Sequence, residues 1–361
     1  MDTAIKHAPQ DTPLAGAHRA AGGNVGEWFG CALPSDFGDW QTEYRFARDS
    51  VALLDKNYRT YLGFTGPDRV RYLNAILTNN IKDLKTGEGI ASLFLSPQGR
   101  IQAEIETYAE AEKLFCVSFT MIREKLIPAL DHFIIMDDVA MTDESRKFGT
   151  LALEGPMAGA IVNELCGVDL ADLAELSWRE AEVGAIPCRI VRRGVRGVPG
   201  AEFACEQSQL PALWILLNNA AKSHGGGAVG YTALNALRLE AGVPWFGYDF
   251  GEKQIPHEAG LENSHISYTK GCYTGQEIVE RVRSRGQVNR VRALFQLSAA
   301  ELPASEKPIV FDGKEIGYVT RAAYSPMFQL NIAMGYVRRE QSAPGSEVQI
   351  SGAAATAVSP R

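Results

Sequence analysis

The sequence has no CxxC pair, no closely spaced histidines and no apolar run approaching the roughly eighteen residues of a membrane-crossing helix. Each absence excludes a class of protein. Cys31, Cys116, Cys166, Cys188, Cys205 and Cys272 are scattered singly, which predicts reduced thiols rather than a disulfide or zinc framework. The six histidines are equally dispersed, so no metal site is expected. Positive charge is in deficit: 36 Lys and Arg against 43 Asp and Glu leave a net −7, which argues against broad binding to nucleic-acid backbones. Five arginines between Arg281 and Arg292 form the one local basic stretch, which a solvated helix face accounts for. No apolar leader opens the chain, so a soluble, cytoplasmic protein is expected, with no membrane contact.

What is present is a globular composition. With 361 residues, 45% of them apolar and 22% charged, the chain is long enough for two or three cores. The pattern predicts an α+β fold. Strands are expected over Tyr58 to Phe64, Ile90 to Leu95, Ile101 to Tyr108, Leu114 to Phe119, Phe148 to Leu153, Cys188 to Arg192 and Ala201 to Cys205. Helices are expected from about Val70 to Leu77, Ile122 to Phe133, Met157 to Leu165, Leu210 to Ala221 and Thr232 to Ala241. Ser96-Pro97-Gln98-Gly99 reads as a hairpin turn, and Gly242 as a helix stop. From Val291 onward, short strands alternate with turn residues, the texture of a small antiparallel barrel. Gly225 to Gly230 matches GxGxxG literally. It follows a helix rather than a strand, so the geometry of a dinucleotide site is missing and a flexible connector is expected.

The stretch with the most chemistry is Lys270-Gly271-Cys272-Tyr273-Thr274-Gly275-Gln276-Glu277. Thr274 and Glu277 have the spacing of a capping box, placing a helix start there. A helix N-terminus and the Lys270 ammonium both favour a thiolate at Cys272. The alternative is an inert cysteine that is merely small.

This run resembles the signature of the YgfZ family of folate-binding proteins, which shares a superfamily with the T-protein, the aminomethyltransferase of glycine cleavage. The likeness extends from about Thr12 to Gly352. Thr12-Pro13-Leu14, Leu153-Glu154-Gly155-Pro156, Arg238-Leu239-Glu240-Ala241-Gly242 and Ile316-Gly317-Tyr318-Val319-Thr320 all resemble T-protein segments. The resemblance implies two interleaved mixed α/β domains plus a C-terminal antiparallel β-barrel around a central folate channel. The expected divisions are a loose segment at 1–26, a first α+β folate-binding region at 27–145, a second at 146–286 carrying the motif, and the barrel at 287–361.

It also implies site residues. Glu202 ends a loop that in T-proteins supplies a folate-recognising glutamate; the tyrosine of that loop is Val195 here. Arg238, from the shared helix, and Tyr273 are expected at the folate. Cys272 and Lys270 are expected to carry any catalysis. T-proteins follow their hairpin with G-G-x-x-D-D, whereas this chain has Gly99-Arg100-Ile101-Gln102-Ala103-Glu104, with alanine for one acid and glutamate for the other.

Three functions follow. The first is a YgfZ-type protein that binds tetrahydrofolate, or a one-carbon derivative of it, and supports iron–sulfur cluster assembly or repair in client enzymes. The second is a folate-dependent aminomethyltransferase, and the third a non-catalytic folate-binding module.

Overall fold

A mixed six-stranded sheet, an antiparallel five-stranded sheet and a barrel account for most of the chain. The structure is a computed structural model and describes residues 8–194 and 198–360. One sheet has six strands in the order Trp178–Val183, Ile186–Arg192, Gly200–Glu206, Phe148–Glu154, Ala52–Asp55 and Gly227–Ala228. The other has five, in the order Gly89–Leu95, Ile101–Ala109, Leu114–Phe119, Arg59–Thr65 and Ala140–Asp143. Ala52–Asp55 pairs with Phe148–Glu154, so the six-stranded sheet draws on both sides of residue 145, and the five-stranded sheet is an excursion within it. The interleaving is therefore literal. The final six strands close an antiparallel barrel, its last strand Ala353–Val358 pairing back onto Arg290–Leu297.

Alternation explains the cores. One face of the six-stranded sheet packs Leu53, Leu151, Ile190 and Phe203 against the helices Ala158–Cys166 and Leu210–Ser223. The five-stranded sheet covers one face with Arg69–Ile76 and Arg123–Asp131, burying Leu62, Ala103, Ile105 and Leu126. Along Ile101–Ala109 the residues at 101, 103 and 105 point into apolar packing, and those at 102, 104 and 106 point the other way. That second face borders the cavity.

Three local expectations are corrected. The described part of the N-terminal segment, from residue 8 on, is packed rather than loose: Leu14 is fully buried, and His18 holds Asp55 at 2.7 Å beneath Trp214. Gly225–Gly230 is no connector, because Gly227–Ala228 is an edge strand parallel to Ala52–Asp55. A Cβ on Gly226 would stand 2.1 Å from the Val51 carbonyl oxygen, which is why a side chain is missing there. The Gly230 N–H at the following helix start donates to Glu43 at 2.7 Å, so the chain's own carboxylate takes the place an anion would. Finally, the capping box does not form. The helix Gln276–Arg285 has Gly275 at its cap, with φ of 80° and no side-chain cap bond, leaving Thr274 one residue too early. A Cβ on Gly275 would lie 2.6 Å from the Ser96 carbonyl and 3.2 Å from the Gly99 Cα, so hairpin tip and helix start meet glycine to glycine.

No helix among the described residues is long and apolar enough to cross a membrane.

Candidate functional site

Where the two sheets approach the segment 242–265, they leave a cavity of about 560 Å³. Its lining has two characters. Among the described residues, Lys56, Arg59, Arg193 and Arg292 supply four cations, and Glu104, Glu106, Glu154 and Glu202 four carboxylates, so their charges balance. Facing them is an aromatic wall of Phe29, Tyr58, Phe119, Trp245 and Phe246. Phe29 and Tyr58 are stacked with ring centroids 4.2 Å apart, and Phe119 and Phe246 lie 5.1 Å apart.

The charged side is a network joining the two sheets. Arg59, opening its strand in the five-stranded sheet, holds Glu202 of the six-stranded sheet with two parallel bonds, Nη2 to Oε1 at 2.6 Å and Nη1 to Oε2. This fork-to-fork geometry is the strong form of the ion pair. Arg193 reaches Glu106 at 2.6 Å and lies 3.9 Å from Glu202, while Lys56 holds Glu154 at 2.9 Å. Burial opposes the charge on Arg59, but Glu202 and Glu106 outweigh it and hold the pKa above its ordinary value. Burial likewise works to raise Glu106, and Arg193 and Arg59 keep it below the usual carboxylate range.

Of the five residues expected at the site, Glu202 lines this cavity, and the other four lie outside its lining. Glu202 is 2% exposed; with Arg59 on both oxygens, each keeps a second lone pair. Arg238 is fully buried behind the wall. It pairs with Asp249, donates to Asn235 at 2.8 and 3.0 Å and to the Val243 carbonyl at 3.2 Å, and stacks 4.6 Å over Trp245. Its burial lowers the guanidinium pKa. Arg238 thus shapes the wall without reaching the cavity. Tyr273 packs in the apolar cluster of Leu95, Ile101 and Phe250, its hydroxyl without a partner among the described residues and its pKa raised by burial.

The Lys270 ammonium donates to the carbonyls of Asn74 and Leu77 at the C-terminal end of the helix Arg69–Ile76. A cation there satisfies carbonyls that the helix leaves open. Burial pushes its pKa down to about 8. Cys272 is exposed, four residues before the first helical residue Gln276, beyond the turn over which a helix end exerts its field. Val195 lies outside the described residues.

The sequence reading passed over Lys56, Arg59, Glu106, Glu154, Arg193 and His265. One signal was available: three polar residues on one face of an otherwise apolar strand, Gln102, Glu104 and Glu106, which is unusual unless that face meets something polar. Glu104 accepts a hydrogen bond from His265 Nε2 at 3.1 Å. No group of three or more His, Cys, Asp or Glu among the described residues is arranged to hold a metal ion.

Comparison with known proteins gives the same architecture. Residues 14–266 match the GCVT N-terminal domain, and residues 290–359 the glycine cleavage T-protein C-terminal barrel domain. The chain is 31% identical to an aminomethyltransferase of Moorella thermoacetica over 343 residues, covering 94% of this chain and 93% of that one. It is 27% identical to an aminomethyltransferase of Streptomyces avermitilis, over 94% and 92% of the two chains. In structure it is similar to aminomethyltransferase T of the glycine cleavage system from Bartonella henselae, with a TM-score of 0.86, 23% identity and 97% of each chain covered.

Proposed function

Because this chain belongs to the glycine cleavage T-protein family, we propose that it binds a tetrahydrofolate derivative in the central cavity and transfers an aminomethyl or other one-carbon unit there. The observation that carries the reading is the cavity itself: an aromatic wall opposite paired carboxylates, at the junction of the two sheets. The family uses tetrahydrofolate, and the residues present suit it. A flat heteroaromatic ring fits against Phe29 and Tyr58, and its N–H groups fit the lone pairs that Arg59 leaves free on Glu202. Bound tetrahydrofolate supplies the amine nitrogen that carries the one-carbon unit.

The protein's own part is to bind, orient and move a proton. Arg59 fixes the Glu202 carboxylate, and Arg193 fixes Glu106. Arg238 holds Trp245 in the wall. Glu104 faces the cavity where the T-protein pattern has an aspartate, and its second oxygen is free of protein partners among the hydrogen bonds of the described residues. It is the carboxylate placed to take the proton that a nitrogen loses when it gains carbon. We assign Lys270 and Tyr273 to support of the fold around the cavity rather than to catalysis.

Calorimetric titration with tetrahydrofolate and 5-formyltetrahydrofolate tests this reading, with saturable binding expected. No binding of either would sink it. Glu104→Gln is expected to bind folate within about threefold of the parent while transfer from a lipoyl-carried aminomethyl donor falls by about 10² or more. Unchanged turnover would remove Glu104 from the chemistry.

A second reading has one observation in its favour. The Lys270 to Glu277 run that resembles the YgfZ signature presents Cys272 at the surface, as support of iron–sulfur client enzymes by thiol contact requires. Loss of iron–sulfur enzyme activities in a Cys272→Ser host, with folate binding intact, would favour it over transfer. The cytoplasmic location expected from the sequence belongs with either reading.

A further inference from the structure

Glu104 is a methylene longer than the aspartate of the T-protein pattern, and a longer side chain loses more rotamer freedom when it is held at one point. Something must hold it. His265 closes the short helix Glu262–His265, which packs against the strand Gly89–Leu95 beside the one carrying Glu104, and both of its ring nitrogens are engaged. Nε2 meets Glu104 Oε1 at 3.1 Å, and Nδ1 meets the Ser264 hydroxyl at 2.8 Å. Nε2 donates to the carboxylate, and the Ser264 hydroxyl serves Nδ1 in either form of the ring, donating to the bare nitrogen or accepting from Nδ1–H. The backbone is fixed as well: the buried Thr78 hydroxyl donates to the His265 carbonyl at 2.6 Å, and the His265 N–H donates to Leu261 at 2.9 Å. The side chains of His265 and Glu104 are 10% and 16% exposed, so both sit at the cavity surface without standing in bulk water.

We propose that His265, braced by Ser264, is a positioning residue that aims the Glu104 carboxylate into the cavity. This rests on the folate-transfer reading given above. Both ring nitrogens are taken up by protein partners, so the part of the imidazole is to place the carboxylate. It leaves Glu104 Oε2 directed at the ligand and Oε1 anchored. The other charges facing this carboxylate are Glu106 on its own strand, Arg59 from the sheet and Arg193 from the loop after Ile186–Arg192. Burial works to raise the Glu104 pKa; the His265 bond and charge, and then the Arg193 and Arg59 charges, hold it below the usual range.

Two substitutions separate aiming from mere packing. In His265→Asn the amide nitrogen falls where Nδ1 was, keeping Ser264 and losing Glu104. In His265→Gln it falls where Nε2 was, keeping Glu104. The carbon-13 titration of the Glu104 carboxyl, assigned with Glu104→Gln and recorded without folate, is expected about one pH unit higher in His265→Asn and close to the parent in His265→Gln. In turnover, His265→Asn is expected to lower kcat about tenfold with KM for folate unchanged, and to move the acidic limb of the rate profile upward. A Glu104 titration in His265→Asn that matches the parent's, or an equal displacement in both variants, overturns the proposal. The titration needs no turnover, so it decides the matter even if the parent chain binds folate and transfers nothing.

Discussion

The central cavity holds a buried cation and the Lys270 to Glu277 loop a half-buried one, and the two are used in opposite ways. In the cavity, Arg59 meets a carboxylate in a fork and its pKa rises. In the loop, Lys270 meets carbonyl oxygens and the face of the Tyr273 ring instead of a carboxylate, and burial drives its pKa down to about 8. Charges balanced by opposite charges can hold a polar ligand in a dry site, because the ligand can share the partners. A cation matched to a helix end holds two pieces of backbone together and has little left to offer a ligand. The residue types alone do not distinguish these uses; the partner does.

The comparison breaks most visibly at Glu202. Glu202→Ala leaves Arg59 buried without its fork and is expected to cost about 3–5 kcal/mol in denaturant unfolding. Tetrahydrofolate affinity is expected to fall with it. The double variant Arg59→Met/Glu202→Leu removes both charges and is expected to recover most of the stability but none of the affinity. Recovery of binding would show that the pair is only scaffolding.

A smaller effect is expected at Lys270. Lys270→Met leaves the Asn74 and Leu77 carbonyls without their donor and is expected to cost about 1–2 kcal/mol at neutral pH, with folate affinity kept. The pH dependence has a definite sign. The folded pKa of about 8 lies below the ordinary 10.5, so between those values the unfolded chain binds more protons. Stability attributable to Lys270 therefore rises with pH across that window, and the cost of charging the half-buried amine is felt fully below about 8. Unfolding free energies of parent and Lys270→Met, compared from pH 7.5 to 10.5, are expected to diverge in the parent's favour (the window follows from the two pKa values).

The smallest change is expected at Cys272. Cys272→Ser should leave stability within about 0.5 kcal/mol and folate affinity unaltered, as for an exposed side chain outside the cavity. A tenfold loss of affinity would join loop and cavity into one site and end the contrast.

Much of the architecture was legible. Strand Ile101–Ala109 alternates cleanly, the helix Leu210–Ser223 has a buried stripe at Leu210, Leu213, Trp214 and Leu217, and five of the six barrel strands show in the turn spacing. The helix Trp40–Asp49 was passed over although Asp39 caps it by accepting from Gln41 and Thr42, because only Glu43, Tyr44 and Ala47 are buried along it. The site was less legible for a topological reason. Arg59 and Glu202 are 143 residues apart and meet only because one sheet is inserted within the other. Local spacing gives no sign of such a pair. The Lys270 to Glu277 run drew attention because its residues are reactive types in a short space. Its capping box failed on a single position, since Gly275 rather than Thr274 precedes the first helical residue.

The glycine-to-glycine contact between Gly275 and Gly99 links that run to the cavity in another way. Gly99 is the hairpin tip from which the strand carrying Glu104 departs, and neither glycine has a side chain that could yield between them. The loop bearing the exposed thiol is thereby seated directly against the start of that strand. Cys272 is thus a natural attachment point for a spectroscopic label: outside the cavity, yet on the backbone packed against the hairpin that builds its wall.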